Sequence, residues 1–218
     1  MSEQSTPGSG SVELPPATVR TSVRIPLQFG DGYRTEAQAF TFDGLVDGQE
    51  HIALALGRYK EARVPLVRLH SECLTGDVFG SARCDCGPQL RDAAEKITKA
   101  GGYLIYLRQE GRGIGLYNKL DAYALQDQGL NTYEANEALG LPKDGRDYSA
   151  AAQILHALGA SELQLLSNNP DKAAQLGRRG ITVRDKVPTG VFVTASNLRY
   201  LQTKVNVTGH RIMLNPAA

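Results

Sequence analysis

All three cysteines of this 218-residue chain fall between Cys73 and Cys86, in the spacing C-x10-C-x-C. A secreted scaffold stapled by disulfides carries an even, dispersed set. An odd, clustered set points instead to a reduced cytosolic protein holding a metal. Zinc is borderline soft and binds thiolates tetrahedrally, so three sulfurs fill three corners and the fourth decides the role. A protein ligand there closes a structural site, and His70 is the candidate; His51, His156 and His210 lie far off in sequence. A water there makes the site catalytic. Three buried cysteines acting as small hydrophobes are a third reading, and the charges of Glu72, Arg83 and Asp85 around them count against it.

Composition narrows the class. The 24 Lys+Arg against 23 Asp+Glu give a formal net charge of +1, which argues against a nucleic-acid binder working by broad phosphate neutralisation. No stretch approaches the ~20 apolar residues of a membrane span. The leading segment, residues 1–18, is rich in Ser, Pro and Gly and has no aromatic, so a disordered tail is expected there. It has neither a basic start nor an apolar core, so it does not read as a signal peptide.

From Val19 to about Gly57 the pattern is β-like, with strand candidates at Val23–Leu27, Tyr33–Phe42 and His51–Leu56. Val64–Leu69 reads as a buried strand delivering His70 to a site. Strands and helices then alternate. Helices are expected over Pro88–Lys99, Leu116–Gln128, Ser149–Leu158 and from Asn169-Pro170 to near Gly180, with a short one capped by Asn131 or Thr132. Strands are expected at Tyr103–Leu107, Glu162–Leu166 and Ile181–Val187. The expectation is an α/β fold: a layered mixed β-sheet flanked by helices, with a β-rich N-terminal part.

Three segments suit an anionic ligand. Arg108-Gln109-Glu110-Gly111-Arg112-Gly113-Ile114-Gly115 joins a strand to a helix, where backbone N–H groups can face an anion. It matches neither G-x-x-x-x-G-K-[ST] nor G-x-G-x-x-G, and a plain loop reads equally well. Pro142–Tyr148 is a charged loop in which Asp147 can simply cap the next helix. Ser167–Lys172 sits where a strand meets a helix, the usual crevice of open α/β sheets, and ordinary capping is the simpler reading of it alone.

Together these segments resemble GTP cyclohydrolase II, the zinc enzyme that opens riboflavin biosynthesis. The resemblance runs from Val19 to about Lys204. It rests on R-x-H-S-E-C-L-T-G-D at Arg68–Asp77 and R-C-D-C-G-x-Q-L at Arg83–Leu90. R-Q-E-G-R-x-I-G-L at Arg108–Leu116, A-Y-A-L-Q-D-Q-G at Ala122–Gly129 and N-N-P at Asn168–Pro170 extend it. It implies a catalytic domain over residues 19–205 and a C-terminal tail over 206–218. It further implies one zinc per subunit on Cys73, Cys84 and Cys86, with water as fourth ligand. The GTP contacts it implies are Arg68, Leu69, His70, Ser71, Glu72, Gln89, Glu110, Gly111, Arg112, Thr132, Ser167 and Lys172. Asp144 is implied as proton acceptor and Arg146 as nucleophile. Position 167 departs from the family's usual Thr, keeping the hydroxyl and losing the methyl.

The implied reaction takes GTP to 2,5-diamino-6-(5-phospho-ribosylamino)pyrimidin-4(3H)-one, formate and pyrophosphate, with Mg²⁺ on the triphosphate, in a cytoplasmic homodimer. Three thiolates make the zinc complex anionic, so its water is expected to need outside support, from Glu72 or Tyr123. A guanidinium is effectively always protonated, so Arg146 as nucleophile needs a base; the milder reading is charge stabilisation. Two alternatives are a relative that stops at the ring-opened formamide and a non-catalytic GTP sensor with a structural zinc. The Asp144-x-Arg146 pair counts against the sensor.

Overall fold

The structure, a computed structural model, describes residues 14–142, 144–198 and 201. Residues 1–13 of the expected leading tail and all of 206–218 lie outside the described residues, as does Lys143.

Seven strands form one mixed sheet. Strands β1 (Thr18–Gln28), β2 (Arg34–Asp43) and β3 (Ile52–Leu56) make an antiparallel run that continues onto β5 (Gly102–Leu107). Strands β4 (Leu66–Ser71), β6 (Glu162–Leu166) and β7 (Thr182–Val187) extend the sheet in parallel from the other side of β5. The spatial order is β1-β2-β3-β5-β4-β6-β7. The chain leaves β4 towards β5 and later returns to β4's other side as β6. That reversal opens a crevice at the carboxyl ends of β4 and β6.

Helices cover both faces. Helix α2 (Cys86–Ala100) lays Ala93, Ala94 and Ile97 on Leu56, Leu66, Leu104 and Leu166. Helix α5 (Ser149–Ala157) packs Ala151, Ala152, Ile154 and Leu155 on Val67, Leu69, Ile105, Leu163 and Leu165, with Leu176 of α6 (Pro170–Arg178) beside them. Small alanines let α5 approach the sheet closely, and β5, covered on both faces, reads as a continuous apolar run. Three further helices, α1 (Leu74–Asp77), α3 (Leu116–Asp127) and α4 (Thr132–Ala138), stand over the carboxyl ends of the strands. Leu165 is fully buried. Leu165→Ala is expected to cost ~2–5 kcal/mol of stability, read as a lower denaturant midpoint at unchanged slope.

The expected α/β class, its mixed sheet and its antiparallel N-terminal part are what the structure has. One boundary is corrected: the tail does not extend to residue 18. The buried amide of Gln153 donates to the carbonyls of Pro15 (2.6 Å) and Gly44 (3.1 Å) and accepts from the Val46 N–H (2.8 Å). A buried amide requires such partners, so residues 15–17 are held against α5, and Thr18 already begins β1. Among the described residues no helix is long and apolar enough to cross a membrane.

Candidate active site

Strand alternation sorts the end of β4. Val67 and Leu69 point to the α5 face, whereas Arg68 and His70 point to the α2 face and turn into the crevice. The Leu69 side chain lies in the core rather than on the cavity wall, and its carbonyl accepts from Lys172 Nζ at 2.6 Å. Arg68 donates to the Leu166 carbonyl (3.2 Å) and to Gln89 Oε1 (2.9 Å), and Gln89 Nε2 donates to Asp85 at 2.6 Å. The buried Arg68 Nε has no hydrogen-bond partner among the described residues, so a donor remains at the cavity wall.

The three thiols line the same cavity, and their sulfurs all lie within 4.8 Å of one another. Cys73 Sγ and Cys84 Sγ are 3.7 Å apart. A tetrahedral zinc with Zn–S of about 2.3 Å spaces its sulfurs ~3.8 Å apart, so the set fits the ion. Hydrogen bonds from Cys84 and Cys86 draw the Cys73 thiol down, and the same contact pushes Cys84 up to about 11. All three could be thiolates together only with a cation among them.

Gly76, in α1, forms the floor of this cradle. A Cβ there would stand 2.6 Å from Cys84 Sγ and 3.1 Å from Cys73 Sγ. Gly76→Ala is therefore expected to weaken metal binding by the three thiols while leaving the sheet intact. Metal analysis checks it: the variant retains less bound metal than wild type, with an unchanged circular dichroism spectrum.

His70 is corrected as a possible fourth ligand. Its Nε2 is 3.0 Å from Asp77 Oδ2, a carboxylate that also accepts from Tyr106 OH (2.9 Å) and the Cys73 N–H (3.0 Å). The imidazole stacks on Tyr106, and burial lowers its pKa, keeping it neutral. With Nε2–H directed at Asp77, the acceptor Nδ1 is the edge left over. It has no hydrogen-bond partner among the described residues.

The Gly-rich segment forms a tight 3-10 turn, Glu110–Gly113, in which Gly111 and Arg112 both have φ of 62°. Arg112 is a non-glycine residue held in the left-handed region, a strain that clusters at functional sites. Its guanidinium donates to Tyr133 OH at 2.9 Å, and its carbonyl accepts from the Gly145 N–H at 3.0 Å, docking the 144–146 loop onto this turn. The turn is not an open anion nest. The Gly111 N–H donates to Glu110 Oε1 (2.8 Å), which also accepts from Lys119 Nζ (2.9 Å), while Oε2 accepts from the Leu74 N–H (2.7 Å).

Ser71, Glu72, Gln89, Gly111, Tyr123, Thr132, Ser167 and Lys172 line the cavity. Glu72 accepts from Arg108 Nε at 2.9 Å. Asp144 is not on the wall; it grips Arg146, which is, through a two-pronged contact with Arg146 Nε at 2.8 Å and the Nη2 group alongside. Burial would raise the Asp144 carboxyl, but the Arg146 fork outweighs it and holds it below the usual range. Sequence reasoning missed Lys119, Asn136 and Thr189 on the wall. A helical lysine reads as a solvated face, and nothing in the residues around Lys119 marks it as buried.

The family model of GTP cyclohydrolase II matches residues 19–188. The chain belongs to the GTP cyclohydrolase II family. It is 52% identical over 195 residues to the GTP cyclohydrolase-2 of Psychromonas ingrahamii, covering 89% of this chain and 96% of that one. The GTP cyclohydrolase-2 of Vibrio cholerae is 47% identical over 195 residues, with 88% and 97% covered. A riboflavin biosynthesis protein RibBA of Bacillus cereus is 50% identical over 198 residues, spanning 90% of this chain and 49% of that protein. The family match spans β1 to the start of the loop after β7, and so contains the thiol cluster, the 110–113 turn and the 144–146 loop.

Proposed function

We propose that this member of the GTP cyclohydrolase II family hydrolyses GTP to 2,5-diamino-6-(5-phospho-ribosylamino)pyrimidin-4(3H)-one, formate and pyrophosphate, the first step of riboflavin biosynthesis. One observation carries the proposal: a single cavity has three clustered thiols, together with Arg68, Arg112, Arg146 and Lys172, on its wall. Those two sets suit the two ends of one substrate, a purine to be opened and a triphosphate to be neutralised.

Cys73, Cys84 and Cys86 would hold zinc, which when bound lowers the pKa of a water it carries towards ~7 and supplies the nucleophile for opening the imidazole ring. Burial pushes Tyr123 up to about 12, so its hydroxyl stays protonated and acts as a donor. Neutral His70 offers Nδ1 as an acceptor, and Arg68 Nε offers a donor. At the other end Arg112, Arg146 and Lys172 offset the charge of a Mg²⁺-bound triphosphate. A guanidinium is effectively always protonated, and the Asp144 fork occupies Arg146 Nε and Nη2, which favours charge stabilisation over nucleophilic attack. The three reduced thiols suit the cytosol, and a homodimer is the assembly that the family resemblance implies.

Mass analysis of the product formed from GTP with Mg²⁺ and Zn²⁺ tests the reading. The expected product has lost both C8 and two phosphates. A ring-opened formamide would place the chain with relatives that stop halfway. Unchanged GTP from a zinc-replete chain would leave only the sensor reading.

A further inference from the structure

Lys119 lies in the first turn of α3 and is 8% exposed, against the habit of lysine to keep its ammonium in water. Its three protons have three acceptors: Cys73 Sγ at 3.2 Å, Thr75 Oγ1 at 2.9 Å and Glu110 Oε1 at 2.9 Å. A buried ammonium is tolerated only when paired and hydrogen-bonded. One carboxylate already balances its charge, so the contact to sulfur calls for a further reason. A thiol sulfur is a weak acceptor and a thiolate a strong one.

Resting on the zinc reading above, we infer that Lys119 is a positioning residue for the metal centre, binding the Cys73 thiolate and offsetting the negative charge of the three-thiolate site. Three thiolates and one divalent ion leave a single negative charge, and Glu110 adds another nearby. Lys119 is the cation that bridges the two. It also fixes geometry. Cys73 lies on the loop after β4, Thr75 in α1 and Glu110 in the 110–113 turn, so one side chain joins the metal loop to the turn beneath Arg112. Its ammonium stands 5.7 Å from the Tyr123 ring centroid, placing that hydroxyl-bearing ring beside the same sulfur. The outside support expected for an anionic zinc centre thus comes from a residue that sequence reasoning left out. Glu110 gains a different role: its carboxylate is taken up by protein donors, so it props Lys119 and the turn.

Zinc affinity, measured on the full chain by chelator competition, tests this without relying on turnover. Lys119→Met, similar in length and unable to hydrogen-bond, is expected to bind zinc at least about tenfold more weakly than wild type. In the cobalt-substituted protein its sulfur-to-metal absorption is expected to move to longer wavelength, because a thiolate that has lost a donor gives up charge more easily. If Lys119→Met fails to fold, Lys119→Gln keeps a polar donor, drops the charge and is expected to weaken zinc in the same direction. A folded variant of either kind with wild-type zinc affinity and an unmoved cobalt spectrum overturns the role of Lys119. A wild-type chain that holds no zinc overturns the metal reading beneath it, so the two failures are told apart.

Discussion

Cys84→Ser is expected to abolish formate release, lowering the rate at least ~10³-fold, and to take zinc from one per chain to near zero. Serine's hydroxyl stays protonated at neutral pH and is a poor ligand, so only two thiolates would remain. Several kilocalories per mole of transition-state stabilisation leave with the metal, and each 1.36 kcal/mol is a factor of ten in rate. Cys84 lies outside both apolar clusters that hold the sheet to α2 and α5. The folded structure should therefore survive, and an unchanged circular dichroism spectrum would separate lost chemistry from lost fold. Formate release within tenfold of wild type would show that the thiol centre is not catalytic.

Arg146→Ala is expected to lower pyrophosphate release ~10²–10³-fold, the usual effect of removing one group that stabilises developing charge. Zinc content should not change, because Arg146 grips Asp144 and takes no part in the thiol cluster. The sign of the accompanying pH effect follows from Asp144. Its folded carboxyl is held below the unfolded value, so the pair's contribution is fully present above the unfolded pKa of ~3.9 and is lost as pH falls through the lower folded value. Neutral-range activity should then show no inflection from this pair. Rapid-quench experiments are expected to trap no phosphorylated enzyme. A phosphoryl adduct that forms in wild type and vanishes in Arg146→Ala would assign the nucleophilic role instead.

Much of this molecule is legible in its residues, for identifiable reasons. The run Val67 to His70 alternates apolar and polar on a strand whose two faces meet different helices, so β4 and its delivery of His70 to the crevice can be read directly. Helix α2 also follows from spacing, though Gln89 rather than Leu90 takes the buried place, because Arg68 and Asp85 satisfy its amide. The thiol spacing points to a metal, but the choice between closed and open coordination turns on Asp77. That carboxylate collects His70 and the Cys73 N–H from its own stretch of chain and the Tyr106 hydroxyl from β5, which is 29 residues away. No local pattern announces such a meeting. Lys119 is a similar case, a lysine made buried by acceptors on the Cys73–Thr75 stretch and on the 110–113 turn. The glycines of the Glu110–Gly113 turn suit an anion or a plain loop equally, and the Glu110 carboxylate closes on the Gly111 N–H, on the Leu74 N–H and on Lys119. Motif chemistry identifies the site, and long-range pairing decides which of its atoms remain for substrate.

This chain is expected to open the imidazole ring of GTP at its three-thiol zinc centre. GTP labelled with carbon-13 at C8 tests it most directly, incubated with the full chain and Mg²⁺ before and after removal of zinc by chelation. The labelled carbon is expected to appear as formate in step with pyrophosphate, to stop when zinc is stripped and to resume when zinc is restored. Label that stays in the purine with zinc bound, or formate that continues after zinc is gone, would show that ring opening does not run through this centre.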